Sequence, residues 1–366
     1  MSFITSIGTA VPPNRFNQAS IAAFMEKTMR LNYADGRKLK TIFKYSGIQT
    51  RHSVLEDYGK QDGFSFYPNT KDFEPFPSTE KRLLEYRKHA LPLSVEAIQD
   101  CMLKSTSTMQ DVTHLLVVSC TGMYAPGLDI DLVKNLGLRN DVQRTCINFM
   151  GCYAAFNALK VANAICLGES KSTVLIVCVE LCTLHFQKEA TEDNMLANAL
   201  FADGAAAMLV KSTADKGWNF SLDVFHNALA FNGKEHMAWS VGNLGFEMKL
   251  STYVPDVIRT GIKKLTNSLL EKVDKNINQI SFFAIHPGGK KILEVLEQEL
   301  GITREQNGYA YAVLNTHGNM SSATVVFVLR QILDQLKQSD ENKSVLSFAF
   351  GPGLTLESML LRIHYE

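Results

Sequence analysis

What the 366-residue chain lacks narrows its class first. Neither charge is in excess: Lys plus Arg and Asp plus Glu both total 37, and the formal net charge is zero. Binding to a nucleic-acid backbone needs a basic surplus or a concentrated basic patch. Nucleic acid is therefore excluded as a bulk electrostatic partner, while a local basic pocket for one phosphorylated ligand is not. No apolar run reaches the roughly 18 residues of a membrane helix. The longest candidate, Thr173 to Leu184, is broken by Glu180. Met1-Ser2-Phe3-Ile4-Thr5 carries no basic stretch of the kind that opens a secretory signal, so the expectation is a soluble, cytoplasmic protein without a membrane span. Seven cysteines, an odd count with no C-x-x-C spacing, speak against a disulfide framework and against zinc, and no metal is expected. By default each is a small buried hydrophobe.

Enough is present for a folded core: 46% of residues are hydrophobic and 20% charged. At about 150 residues per domain, the length suits two domains or one large duplicated one. Leu115–Ser119, Val174–Val179, Ala205–Val210, Ile280–Ile285 and Val345–Phe350 are uninterrupted and mostly apolar, the pattern of strands buried on both faces. Between them lie helical periodicities: Tyr153–Leu167 with Gly168 as its C-cap, Lys290–Leu300 before Gly301, and Ser321–Leu336, apolar nearly all round its first half. Strands alternating with helices define an α/β fold. Glu56–Pro77, rich in Gly, Pro and aromatics, reads as a loop excursion, after which Ser78 and Glu80 suit a helix start. The polar zone Thr213–Phe231 reads as the join between two halves.

Three residues stand in contexts that suggest chemistry. Cys152 follows Gly151 at the start of the Tyr153–Leu167 helix, where free amides and the helix dipole stabilise a thiolate and lower the thiol pKa from about 8.5. A packed thiol at a helix start is the alternative. His286, in Ala284-Ile285-His286-Pro287-Gly288-Gly289, stands where a buried strand stops, the place where ligand-facing residues gather in α/β sheets; it suits a site or a structural role equally. Asn319, in His317-Gly318-Asn319-Met320-Ser321-Ser322, is either an N-cap or, if Ser321 or Ser322 caps the helix, free to point elsewhere. The histidines His52, His89, His114, His226, His236 and His364 lack such contexts and are expected on the surface or in packing. Cys, His and Asn in this chain order also describe papain-like hydrolases, but no matching Gln element precedes Cys152 and the Cys-Gly-Ser-Cys-Trp signature is absent.

With these motifs, the chain resembles a type III polyketide synthase, the chalcone-synthase-like branch of the thiolase superfamily. The resemblance begins at Ile7-Gly8-Thr9-Ala10-Val11-Pro12-Pro13-Asn14, continues through Leu200-Phe201-Ala202-Asp203-Gly204-Ala205-Ala206, and closes with Phe350-Gly351-Pro352-Gly353-Leu354-Thr355-Leu356-Glu357. His-Pro-Gly-Gly and Gly-Asn-Met-Ser-Ser-Ala-Thr favour this branch over ketoacyl-ACP synthase III. It implies a five-layered αβαβα thiolase-like fold with two pseudo-equivalent halves, residues 1–222 carrying the nucleophile and 223–366 carrying the His and Asn. It also implies a homodimer and coenzyme A thioesters as substrates, with no other cofactor.

In the resemblance Cys152 is the nucleophile, ionised near neutral pH beside a cationic imidazole, with His286 and Asn319 as partners. Phe201 and Phe246 match gatekeepers, and Ser321 together with Gly351-Pro352-Gly353 matches the cavity wall. Cys120, Cys182 and His185 replace wall threonines of plant chalcone synthases, and Ala125 replaces a methionine that crosses the dimer interface. Of the usual basic triad for coenzyme A only Lys38 aligns, opposite Thr41 and Tyr45; Lys40, Lys44 and Arg51 are the substitutes, and acyl carrier protein is an alternative carrier. The reading is iterative condensation of malonyl-CoA onto an acyl-CoA starter, a fatty acyl group by preference, closing to a pyrone or resorcinol. A single-condensation ketoacyl synthase and a silent acyl-CoA-binding homologue are the alternatives.

Overall fold

The computed structural model describes every residue except Lys234 and His236, so the role expected of His236 lies outside the described residues. Nine strands pair into one mixed sheet: Phe282–Ile285, Ser344–Gly351, Thr355–Tyr365, Trp218–Leu229, Phe3–Ala10, Asp203–Lys211, Thr173–Leu181, His114–Ser119 and Gln143–Asn148, in that spatial order. They fall into two groups. The last five come from the first part of the chain and the first four from the second. Both groups run from a parallel edge to antiparallel strands at the middle. They meet at a narrow seam, where Phe3 and Ile4 face Ser221 and Phe220.

Alternate residues of each strand enter different cores, which explains the unbroken apolar runs. Leu115, Val117, Leu175 and Val177 pack in a core with Tyr86, Ala90 and Ala97 of helix Thr79–Met102. Leu116, Val118, Val174 and Ile176 point the other way, into a central core. That core holds helices Ala154–Gly168 and Thr324–Asp334 and receives Val345, Ala349 and Met359 from the second group of strands. Leu346, Phe348 and Phe350 then face outward onto helices Val254–Glu271 and Lys290–Leu300. The result is helix, sheet, helix pair, sheet, helix: the five layers expected. Each buried Leu, Ile or Val contributes about 1.5–3 kcal/mol over exposure, so the helix pair is fixed by apolar surface on nearly all sides.

The structure departs from the sequence reading at identifiable places. The polar zone Thr213–Phe231 holds a long strand, Trp218–Leu229, and residues 222 and 223 both lie within it. It buries Phe220 and Leu222 near one end but is half-exposed beyond, and that mixed burial hid the strand among polar residues. Gly168 is the last helical residue, with Glu169 as C-cap. Ser321–Ala323 is a 3-10 turn ahead of the helix starting at Thr324. Ser78 does cap Thr79–Met102, its side chain accepting from the Lys81 N–H.

Gly8 marks the closest approach of the outer helix to the sheet. A Cβ there would lie 2.2 Å from both the Ala97 carbonyl oxygen and the Cys101 nitrogen, whereas one at Gly168 meets nothing within 4 Å. Gly8→Ala should lower stability by about 2–3 kcal/mol through overpacking, and Gly168→Ala should change it by less than about 1 kcal/mol. Urea unfolding midpoints of the two variants check this.

Candidate active site

Cys152 is delivered by a tight reversal. Strand Gln143–Asn148 ends, Phe149 and Gly151 take φ of 57° and 77°, and the 3-10 turn Gly151–Tyr153 runs into helix Ala154–Gly168. Gly151 is required twice over, for its positive φ and because a Cβ would lie 2.2 Å from Pro352 Cδ. Its N–H donates to Cys120 Sγ at 3.0 Å, so Cys120 anchors the turn. The Cys152 thiol lies 3.9 Å from Asn319 Oδ1.

His286 follows strand Phe282–Ile285, its N–H bonded to Phe348 O at 2.8 Å. The imidazole is 1% exposed, yet neither ring nitrogen has a hydrogen-bond partner among the described residues. A buried polar group without a partner is costly, which marks this ring as poised for an incoming group. Asn319 N–H donates to Leu200 O and Asn319 O accepts from Ala202 N–H, stitching its loop to the segment of Phe201. Its Nδ2 donates to Gly288 O at 3.2 Å, and its Oδ1 accepts from Ser321 N–H at 2.9 Å. Of the two alternatives left open for Asn319, its Oδ1 takes the local capping role, while its amide nitrogen faces the His286 loop.

Cys152, His286 and Asn319 line one cavity of about 30 Å3, together with Cys120, Cys182, Phe201, Ser321 and Pro352. That is room for about two waters. A second chamber, about 40 Å3, is lined by Phe246, His185 and Arg51 and shares Cys182, Phe201, Trp239 and Met248 with the first. Outward, an open groove of about 310 Å3 shares Leu250, Gly288 and Ile292 with the Cys152 cavity and carries Tyr45, Lys290 and Lys291.

Other expected site residues stand elsewhere. Arg51 is no surface cation: it is 2% exposed, its Nε donates to Gln18 Oε1 at 2.9 Å and its Nη1 to Phe201 O, and burial lowers its pKa to about 10. Lys38 and Lys40 pair with Glu192 and Glu26 at 3.5 and 2.8 Å, and Lys44 lies over the Tyr45 ring; none lines the groove. Ala125 is exposed in a separate recess with Tyr124 and Cys146, away from Cys152. His185 is a strut: Nε2 donates to Thr121 O at 2.7 Å, Nδ1 accepts from Phe246 N–H at 3.0 Å, and the ring stacks on Phe246 at 4.3 Å. Gly351 packs on Tyr153 and Pro352 on Gly151, while Gly353, at φ 73°, lines none of these three spaces.

Lys290, Lys291, Trp239 and Glu180 were missed. The sequence did carry a signal for Glu180, a charge inside an apolar strand. It is fully buried and accepts from Cys120 N–H, Thr121 Oγ1 and Ser322 Oγ at 3.0, 3.0 and 2.5 Å; burial raises its pKa to about 7.

Electrostatics correct the expected resting thiolate. Burial pushes the Cys152 thiol up to about 12, with Ser321 and Asn319 hydrogen bonds acting the other way, and it pushes the His286 imidazole down to about 3. Each group alone rests uncharged. Only joint ionisation, the proton passing from sulfur to imidazole, avoids leaving a lone charge in the cavity.

A mixed five-layer α/β fold with a Cys, a His and an Asn converging from two halves defines a thiolase-like condensing enzyme. The comparisons narrow this. Sequence models of the chalcone and stilbene synthase N-terminal and C-terminal domains match residues 1–214 and 222–364, so the chain belongs to that family, the type III polyketide synthases, which are condensing acyltransferases. The chain is 29% identical over 369 residues to the "Alpha-pyrone synthesis polyketide synthase-like Pks18" of Mycobacterium tuberculosis, covering 99% of this chain and 91% of that protein. It is 31% identical to "Probable polyketide synthase 1" of Dictyostelium discoideum over 99% of this chain, which spans only 11% of that protein. Among solved structures, PKS-I of the brown alga Ectocarpus siliculosus superposes with a TM-score of 0.91 at 30% identity, covering 99% of this chain and 98% of that one. The C-terminal type III domain of the Dictyostelium hybrid Steely1 gives the same TM-score and identity, with 99% of each chain covered.

Transfer of the Cys152 proton to His286 would give a variant-specific pH response. In His286→Ala burial acts on the thiol alone, so iodoacetamide labelling of Cys152 at pH 7 should slow at least about tenfold and recover only as the pH rises well above 8. Equal labelling rates at pH 7 in wild type and variant would show that the imidazole does not share the proton.

Proposed function

We propose that this polyketide synthase loads an acyl group from acyl-CoA onto Cys152 and extends it with malonyl-CoA, using no cofactor beyond these thioesters. The observation that carries the reading is the His286 imidazole, unpartnered among the described residues, in one cavity with Cys152 and Asn319. Loading exchanges one thioester for another: Cys152 sulfur attacks the acyl carbonyl, its proton passes to His286, and coenzyme A leaves as the thiol. Malonyl-CoA then loses carbon dioxide, and the electron pair becomes an enolate on the thioester oxygen. His286 N–H and Asn319 Nδ2 are the donors for that oxygen, and the nearby Phe201 ring offers no compensation to a carboxylate. The enolate carbon attacks the Cys152 thioester, the sulfur is released, and the lengthened chain returns to Cys152 for another round.

The outer groove supports entry of the thioester carrier. It shares Leu250, Gly288 and Ile292 with the reaction cavity, and Lys290 and Lys291, paired with Glu294 at 3.7 and 3.6 Å, offer ammonium groups for phosphate where Lys38, Lys40 and Lys44 do not reach. Coenzyme A is the simpler carrier for such a groove, and acyl carrier protein the alternative. The apolar walls favour a hydrocarbon starter, and ring closure to a pyrone is the product class, in line with the name of the mycobacterial relative. A homodimer through the face that carries Ala125 belongs to the same reading.

The test is product mass. Wild-type protein with labelled malonyl-CoA and acyl-CoAs of graded length should give products carrying two or more added two-carbon units, lost in Cys152→Ala. A single two-carbon increment would instead indicate a one-step ketoacyl synthase. Turnover of short or aromatic starters only would overturn the fatty-acyl reading.

A further inference from the structure

The reaction cavity and the chamber behind it each hold only a few waters, yet they adjoin across Cys182, Phe201, Trp239 and Met248. Two of these four are fixed in the frame. Cys182 begins the turn after strand Thr173–Leu181, and Phe201 is bridged to Asn319. The other two sit on a hairpin, Met237–Gly242 with Gly245–Leu250, whose strands pair only with each other among the described residues and which is bonded to Thr79 through Gly242 O and Gly245 N–H and to His185 through Phe246 N–H. The half-buried Trp239 is held by one hydrogen bond, Nε1 to Cys120 O at 2.7 Å, and by edge contacts to His185 and Phe246 at 5.9 and 6.0 Å. The indole is thus tied to Cys120, whose Sγ accepts the Gly151 N–H at the Cys152 turn. Behind it, Phe16, Ile21, Met25, Phe186 and Ala197 give the second chamber hydrocarbon surface beside the polar side chains of Arg51, Gln187 and Asn198.

We propose that the second chamber binds the distal hydrocarbon of the acyl group on Cys152, and that Trp239 is the partition that sets how long that group can be. The proposal rests on the reading of Cys152 as the acylated nucleophile. An acyl chain of more than a few atoms overfills the first cavity, and the indole separates it from the next apolar space. Removing the indole joins the two spaces, whereas Phe keeps a smaller ring and loses the bond to Cys120 O.

Intact-protein mass after incubation with acyl-CoAs from acetyl to palmitoyl reads which chains load onto Cys152. Trp239→Ala should raise loading of the longest chains at least about tenfold relative to acetyl, Trp239→Phe should shift the profile less, and Met248→Ala, from the same wall, should shift it in the same direction. An unchanged profile in Trp239→Ala or Met248→Ala, with acetyl loading and unfolding temperature kept, overturns the partition while leaving the nucleophile in place. If Trp239→Ala does not fold, an unchanged profile in Met248→Ala decides the matter alone. Absence of acylation in wild type at every length contradicts the reading of Cys152, and the partition falls with it.

Discussion

One buried carboxylate holds the two halves of the site in register. Glu180 interrupts a strand that is otherwise apolar and 0% exposed, and it is satisfied from both sides. Cys120 N–H and Thr121 Oγ1 reach it from the first group of strands, and Ser322 Oγ from the turn before the central helix of the second. A buried charge stripped of such donors costs several kcal/mol, so these segments are bound to meet where they do. The consequences spread outward. Cys120 receives the Gly151 N–H and so positions the nucleophile turn, while Ser322 sits three residues from Asn319. The nucleophile and its amide partner come from distant stretches of chain but are referred to the same carboxylate.

The dryness of the cavity then shapes the chemistry. In water a thiol and an imidazole would titrate independently. Here burial opposes a charge on either one, and in the function proposed above the proton moves between them, leaving paired charges. In that reading the same exclusion of water strengthens the donors for the thioester oxygen, because their dipoles are already oriented when charge develops there. Acylation and enolate formation would then share one site.

Much of this was legible in the sequence, for physical reasons. Strands buried on both faces are apolar at nearly every position, so four of the five runs read from the sequence lie inside the observed strands. The fifth starts two residues early, since Ile280 and Ser281 precede Phe282–Ile285. Gly151 announced Cys152 because only glycine permits that turn, and His286 was visible as the end of a buried strand. Strand Trp218–Leu229 was illegible, since its far end keeps a solvent-facing side whose polar residues look like a linker. Arg51 misled because its charge was read as exposure, whereas the fold buries it against Gln18 and Phe201 O. Trp239 and Met248 carried no motif. Their importance comes from a hairpin that closes over the site, and only the pairing of that hairpin reveals it.

If His286 and Asn319 stabilise the enolate oxygen as proposed, they do so whether or not Cys152 is present. Carbon dioxide release from labelled malonyl-CoA, measured without any starter, tests it most directly. Cys152→Ala should still release carbon dioxide while forming no extended product, and Asn319→Ala should slow the release by about 10²–10³-fold. Release that vanishes with Cys152 but survives unchanged in Asn319→Ala and His286→Ala would contradict the account.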